Sequence, residues 1–302
     1  YFDMEVFNGH QLREGLTFSF NKGQVSYLKT LLASKPITFI REIKNLDLKS
    51  YDLVISDFEP VTAWAAKTKG IQVLGIGHQY AFKHKIPKEG ADPIAEMVMK
   101  LYAPVDIGVG LHWHHFGQPI LPPIIETRAL EATVAEKIVV YLPFEDTKDV
   151  IQDLSAFTHF EFHVYTAENV QSPFKHIVCK PLSRDGFQQD LTDCAGIISN
   201  AGFELASEAL QLGKKILVKP LHAQMEQISN AAALHQLGYG HVMHDIDVAA
   251  IDHWLHTAHG IKVTYPNTAA LMVKWLQEGM PEMTTDYIEE IWNMVDVQHL
   301  HS

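Results

Sequence analysis

With 302 residues, 47% of them hydrophobic and 20% charged, the chain is long enough for two domains with sizeable cores. A formal charge of −12 argues against a nucleic-acid partner, because non-specific binding to nucleic acid needs a basic surface. No segment approaches the ~18 uninterrupted apolar residues of a membrane span, and no stretch has the make-up of a signal peptide.

The chain opens at Tyr1 in the middle of what reads as an element, so the start of the first domain is expected to be missing. Gly15–Phe20 alternates like a strand, and Gly23–Leu48 reads as mostly helical. Tyr51–Ser56 is a short apolar run of the buried parallel type, followed by a helical stretch, Thr62–Lys69, and a second run, Gln72–Gly77. That rhythm predicts a βαβ unit. Gly117–Pro123 (GQPILPP) breaks the pattern and reads as a linker, since proline stops both helices and strands.

Beyond it, Glu126–Glu136 is expected to be helical. Strands are expected at Lys137–Leu142, Phe160–Tyr165, His176–Cys179, Gly196–Ile198 and Lys215–Lys219, with helices at Phe203–Leu212 and Met225–Leu237. Thr284–Val297 reads as a terminal helix. The expected division is an acceptor-side domain over 1–118, a donor domain over 119–283, and a C-terminal helix in 284–302 packing back on the first domain. The fold class is therefore α/β, with a ligand cleft between the halves beyond the carboxyl ends of the strands.

Cys194–Ala231 carries most of the chemistry. An apolar strand ends in Ser199, Asn200, Ala201 and Gly202, and a helix begins near Phe203. Small residues let a ligand approach the backbone. The first helical N–H groups lack internal partners and face outward at the positive end of the helix dipole, which suits a pyrophosphate. Phe203, Ala206 and Leu210 share one helix face, while Glu204, Glu208 and Gln211 share another. A carboxylate one or two turns along can accept hydrogen bonds from a ribose diol. Glu204 reads either as such a contact or as a solvated helix residue. Glu226 and Gln227 close the next loop, and an acidic–amide pair suits sugar hydroxyls.

This segment resembles the donor-binding region of GT-B glycosyltransferases, in particular the MurG and UDP-glucuronosyltransferase-like group. The matching positions are Ser199–Gly202, Glu208, Gly213, Pro220, Glu226, Gln227, Asn230 and Ala231. Ser56–Ala66 and Gly75–Phe82 are similar to acceptor-side strand ends of an uncharacterised bacterial and archaeal branch of that group, and Gly117–Ile120 to its interdomain turn. The resemblance implies two Rossmann-like domains. It further implies a diphosphate on Ser199–Gly202, ribose on Glu208, sugar on Glu226 and Gln227, and the base near Pro181 and Leu182.

The implied activity is inverting transfer from a UDP-sugar to an acceptor hydroxyl, with no metal and no cofactor. The acceptor is expected to be lipid-linked or part of the cell envelope, at the inner membrane face. Asn8–Arg13 (NGHQLR) imitates the family's opening glycine-rich loop, but a strand-like segment follows it where the family has a helix. Tyr141–Asp146 (YLPFED) stands where MurG-like proteins have a glycine-rich turn, so fewer backbone phosphate contacts are expected there.

With the opening loop absent, His78 and Asp57 are the candidate bases. Asp57 also reads as a helix cap, and His78, beside Gln79, as a hydrogen-bonded structural histidine. His112, His114 and His115 match no common zinc spacing, so no metal site is expected. Trp254 and Trp275 read as core. Cys179 and Cys194 are no disulfide framework and fit a reducing cytoplasm. The alternatives are a UDP-sugar epimerase of the same fold and a non-catalytic nucleotide-sugar-binding protein. A dehydrogenase glycine pattern and a serine-hydrolase elbow are both lacking.

Overall fold

A computed structural model describes residues 35–90, 97, 101–126 and 132–300, together with 9–10, 13, 20–21 and 24–25. Half of Asn8–Arg13, all but the last residue of the strand expected at Gly15–Phe20, most of the start of the helix expected at Gly23–Leu48 and the centre of the one at Glu126–Glu136 lie outside the described residues. A two-residue antiparallel pair, β1 (Phe20–Asn21) and β2 (Gln24–Val25), comes first, so Gln24 and Val25 are not helical. Helix α1 (Pro36–Asn45) follows, with proline in its first turn, where the missing N–H costs nothing.

Four parallel strands make the first sheet in chain order: β3 (Leu53–Ser56), β4 (Gln72–Gly77), β5 (Ile107–Leu111) and β6 (Ile120–Leu121). Strand β6 falls inside the stretch read as a linker, so this sheet reaches past residue 118. Helix α2 (Pro60–Lys69) joins β3 to β4 and starts on Glu59, whose carboxylate accepts from Val61 N at 2.8 Å and Thr62 N at 2.6 Å. Glu59 is therefore the cap, and Asp57 is left for other work. Helix α3 (His78–Ala81) follows β4 directly.

The second sheet contains β7 (Val134–Tyr141), β8 (Glu161–Thr166), β9 (Ile177–Pro181), β10 (Cys194–Asn200), β11 (Lys215–Lys219) and β12 (His241–Val242). Its spatial order is β12-β11-β10-β7-β8-β9, every pair parallel. Read from β9, that is the 3-2-1-4-5-6 order of a Rossmann sheet, whose order reverses between β7 and β10. The connecting helices are α4 (Thr147–Leu154), α5 (Arg184–Asp193), α6 (Phe203–Gln211) and α7 (Met225–Gln236). Helix α6 stops at Gly213, whose φ of +70° belongs to the left-handed region that glycine tolerates. Residues 134–136 are strand where helix was expected, because β7 continues alongside β10 down to Cys194.

Three further helices close the chain: α8 (Val248–Thr257), α9 (Thr268–Gln277) and α10 (Thr285–Trp292). The helix expected at Thr284–Val297 ends at Trp292. Asp296–His299 then forms β14, antiparallel to β13 (Ile261–Thr264), where a short two-stranded edge offers backbone partners. The Trp292 indole donates to Ile120 O at 2.8 Å, bringing α10 against the first sheet. Trp254 and Trp275 are buried. One apolar core runs through both sheets, joining Leu74, Val109 and Trp113 to Val139, Ile197 and Phe203.

Candidate functional site

The carboxyl ends of β7 and β10 flank the reversal in strand order, where an open α/β sheet leaves a crevice. Strand β10 delivers Ser199 and Asn200 there, both buried, and Gly202 starts α6 without any side-chain cap. A Cβ added at Gly202 would meet nothing within 4 Å, so the approach to the first turn of α6 is open. Asn200 Nδ2 donates to Lys219 O at 3.0 Å, and Ala201 O accepts from Asn230 Nδ2 at 3.0 Å. These bonds hold the turn from both sides. Ser199 Oγ, Asn200 Oδ1 and Gln188 Oε1 are buried without a partner. Native interiors leave few such atoms, so two at the turn and a third on α5 beside Glu208 call for a ligand's donors and acceptors.

Glu208, one turn further along α6, accepts from Gln188 Nε2 at 2.8 Å. Gln188 also lines a cavity of about 290 Å³ walled by Tyr141, Tyr165 and Phe187, whose rings meet edge-on at 4.9 to 5.6 Å. Leu182 lines this aromatic cavity, whereas Pro181 ends β9 paired with Thr166. Among the described residues, Gln188 and the three aromatic side chains are site members that no local pattern foretold. The Gln188–Glu208 bond spans twenty residues, a separation that carries no sequence period.

The loop after β7 is built differently. Glu145 pairs with Lys219 at 2.6 Å and Asp146 caps α4 through Lys148 N at 2.8 Å, so its acids are committed locally. Gln227 Oε1 accepts from Leu221 N at 3.0 Å and so braces the loop before α7, within which Ala223 adopts a left-handed φ of 58°. Glu226 faces the first sheet and accepts from Gln79 Nε2 at 3.4 Å.

From the first sheet, Asp57 follows β3 and lies against Gly77, where a Cβ would come within 2.7 Å of its Oδ1. Only glycine leaves Asp57 that position. The next residue, Phe58, has a left-handed φ of 49° and is held by contacts with Tyr80 and Tyr102 at 5.8 and 5.1 Å. Burial raises the Asp57 pKa. Glu204, in the first turn of α6, is exposed. Its pKa is pushed up to about 7, first by burial and then by the charges of Asp57, Glu208 and Glu226. Asp57 from the first sheet and Glu204 from the second thus share one electrostatic neighbourhood.

His78 is not placed as a proton acceptor. Its Nδ1 lies 2.9 Å from Leu111 O and its Nε2 2.7 Å from Asn230 Oδ1, while its ring stacks on Phe203 at 4.0 Å and 5°. Both nitrogens are occupied, the residue is buried, and burial is the main reason its pKa lies below the ordinary value. It works as a strut between the two halves. Trp113 stands beside it, donating from Nε1 to Ser207 Oγ on α6 at 2.8 Å. His112 and His114 accept local backbone N–H bonds at 2.8 and 2.9 Å.

Comparison with known proteins decides what this architecture belongs to. A family model described as Glycosyl transferase family 1 matches residues 2–258. The chain belongs to that family. Among solved structures, the glycotransferase of kitacinnamycin aligns at 12% identity over 87% of this chain and 81% of its own, with a TM-score of 0.54. The calicheamicin glycosyltransferase CalG4 aligns at 12% identity over 85% and 79%, with a TM-score of 0.48. SnogD from Streptomyces nogalater aligns at 14% identity over 84% and 76%, with a TM-score of 0.47. No curated protein matches the chain. At such low identity the likeness concerns the fold, two Rossmann-like domains of the GT-B type. Among the described residues of this family member, no helix is long and apolar enough to cross a membrane.

Proposed function

We propose that the chain transfers a sugar from a UDP-sugar to an acceptor hydroxyl, with inversion and without a metal, as a member of the MurG and UDP-glucuronosyltransferase-like group. The observation that carries this reading is the open first turn of α6 with unpartnered Ser199 Oγ, Asn200 Oδ1 and Gln188 Oε1 around it. The diphosphate rests on the free amides after Gly202 and on the Ser199 hydroxyl. Gln188 Oε1 and Glu208 accept from ribose hydroxyls, and the aromatic cavity under Leu182 takes the base. Asn200 Oδ1, Glu226 and Gln227 lie toward the sugar.

Charge builds on the leaving diphosphate as the glycosidic bond breaks, and oriented amides at a helix N-terminus stabilise it with no rearrangement. Asp57 takes the acceptor's proton, its raised pKa making it a stronger base than an ordinary carboxylate. We place the activity in the cytoplasm, at or near the inner membrane face, on an acceptor of the cell envelope or its lipid-linked precursors.

A thermal-shift panel tests the donor assignment. UDP at about 100 times its Kd stabilises the protein by ~2.7 kcal/mol, ADP does so far less, and Glu208→Ala loses the gain. Equal stabilisation by every nucleotide ends the reading. Conversion of a UDP-sugar with no acceptor present would reassign the same site to an epimerase.

A further inference from the structure

A second cavity, of about 610 Å³, adjoins the donor side. It lies along the first domain, between α2 and the segment after β4. Trp64, Tyr80 and Phe82 give it aromatic walls, with Leu101 and Val105 at one end and Met225 of α7 at the other. The Trp64 indole donates to Leu101 O at 3.2 Å, which fixes one wall. Gln79 lines the Met225 end and reaches Glu226, so the cavity opens where the donor's sugar is proposed to lie.

Its charge is unusual for this protein. The whole chain carries −12, yet Lys67, Lys83 and Lys88 line the cavity and no carboxylate does. Lys83 lies over the Tyr80 ring at 5.1 Å. Neither the Lys67 nor the Lys88 ammonium makes an ion pair or hydrogen bond among the described residues. A large apolar pocket with convergent cations at its edge fits a ligand with an apolar body and an anionic group.

We propose that this cavity is the acceptor site and that it selects an acceptor with an apolar or aromatic body bearing a carboxylate or phosphate. The inference rests on the transferase reading above, since it makes the cavity's occupant the nucleophile. The anion is held by Lys67 and Lys88, the apolar body lies on Trp64, Tyr80 and Phe82, and the hydroxyl is presented at the Gln79 end. Free phosphate and a phosphate carried on an apolar chain share the anion but not the body.

The test needs no donor, so its failure stays distinct from failure of the donor assignment. Two probes with the same ring system are titrated into the full chain: 8-anilinonaphthalene-1-sulfonate and its uncharged analogue N-phenyl-1-naphthylamine. The sulfonate is expected to bind about tenfold more tightly, the worth of one charge-assisted hydrogen bond. The double variant Lys67→Ala/Lys88→Ala is expected to erase that difference while leaving binding of the neutral probe and stabilisation by UDP unchanged. Dodecyl phosphate is expected to displace the sulfonate and inorganic phosphate to leave it bound. Equal binding of the two probes to the unmodified chain overturns the proposal. So does a charge preference that survives loss of both lysines, displacement by inorganic phosphate alone, or no probe binding at all. In Trp64→Phe the transfer of tryptophan emission to bound sulfonate should fall sharply, and undiminished transfer would put the probe elsewhere.

Discussion

Replacing His78 by phenylalanine separates the two roles open to that histidine. The phenyl ring keeps the stack on Phe203, which lies at 4.0 Å in the native protein, but has no N–H; the neutral imidazole that burial favours carries one, and so satisfies one of the two facing oxygens, Leu111 O or Asn230 Oδ1. Each buried acceptor left unpaired costs ~1–3 kcal/mol. One such loss, less the gain from burying a hydrocarbon ring, puts the cost at roughly 1–2 kcal/mol. For a chain of this size that lowers the melting temperature by roughly 2–6 °C. Urea unfolding followed by tryptophan fluorescence is the assay, because Trp113 sits in the same interface and bonds to Ser207. The strut reading also expects the two domains to unfold less cooperatively in the variant, visible as a broadened or split calorimetric transition. His78→Gln, which can still donate one hydrogen bond, should recover part of the loss. An unchanged midpoint combined with a fall in kcat of about 10²–10⁴ would refute the reasoning and return His78 to the role of base.

Two further expectations address the donor side. Gly202→Ala should leave the unfolding midpoint unchanged, since its φ of −74° is open to any residue and the added Cβ meets nothing, yet lower UDP affinity about tenfold or more by occupying the phosphate approach, as read by calorimetric titration. Glu204, with its pKa at about 7 against an ordinary value of 4.5, keeps its proton longer in the folded chain than in the unfolded one. Its contribution to stability is therefore full below about 4.5 and lost as the pH rises to about 7, a loss that solvent screening limits to about 1 kcal/mol. Glu204→Gln should remove this trend in urea titrations, and also remove the decline in UDP affinity expected as the native carboxylate ionises. A UDP affinity flat from pH 6 to 8 in the native chain would count against a diphosphate near that residue.

The parts of the fold legible in the sequence were those with local periodicity. Strands β4 and β11 are short apolar runs between glycine or polar breaks, and their bounds were readable as letters. The turn before α6 is equally readable as a turn, small residues between an apolar strand and an amphipathic helix. Tertiary pairing hid the rest. Residues 134–136 (VAE) suit a helix by propensity but extend β7, because β10 supplies a parallel partner as far back as Cys194. Val297 and its neighbours continue a helical pattern until the free edge of β13 captures them. His78 ended a strand as a polar residue should at a cleft, and only the positions of Phe203 and Asn230, more than a hundred residues away, make it a strut.

The electrostatics of the cleft follow from how each carboxylate near α6 is accommodated. A helix N-terminus offers about half a positive charge, and four acids surround it, so four bare carboxylates would repel a diphosphate. Glu208 is held by Gln188 and Glu226 by Gln79, each through an amide donor that spreads its charge. Among the described residues Glu204 has no such donor, and it keeps its proton up to about pH 7, which leaves it neutral in mildly acidic solution. Among the described residues Asp57 also lacks a donor, and it follows β3 of the other sheet, against Gly77. Raised basicity is thus found at one carboxylate on each side of the cleft, Asp57 after the first sheet and Glu204 on α6. In the proposed transfer, in-line displacement needs base and leaving group on opposite faces, and Asp57 after the first sheet and the start of α6 on the second are the candidates for the two sides.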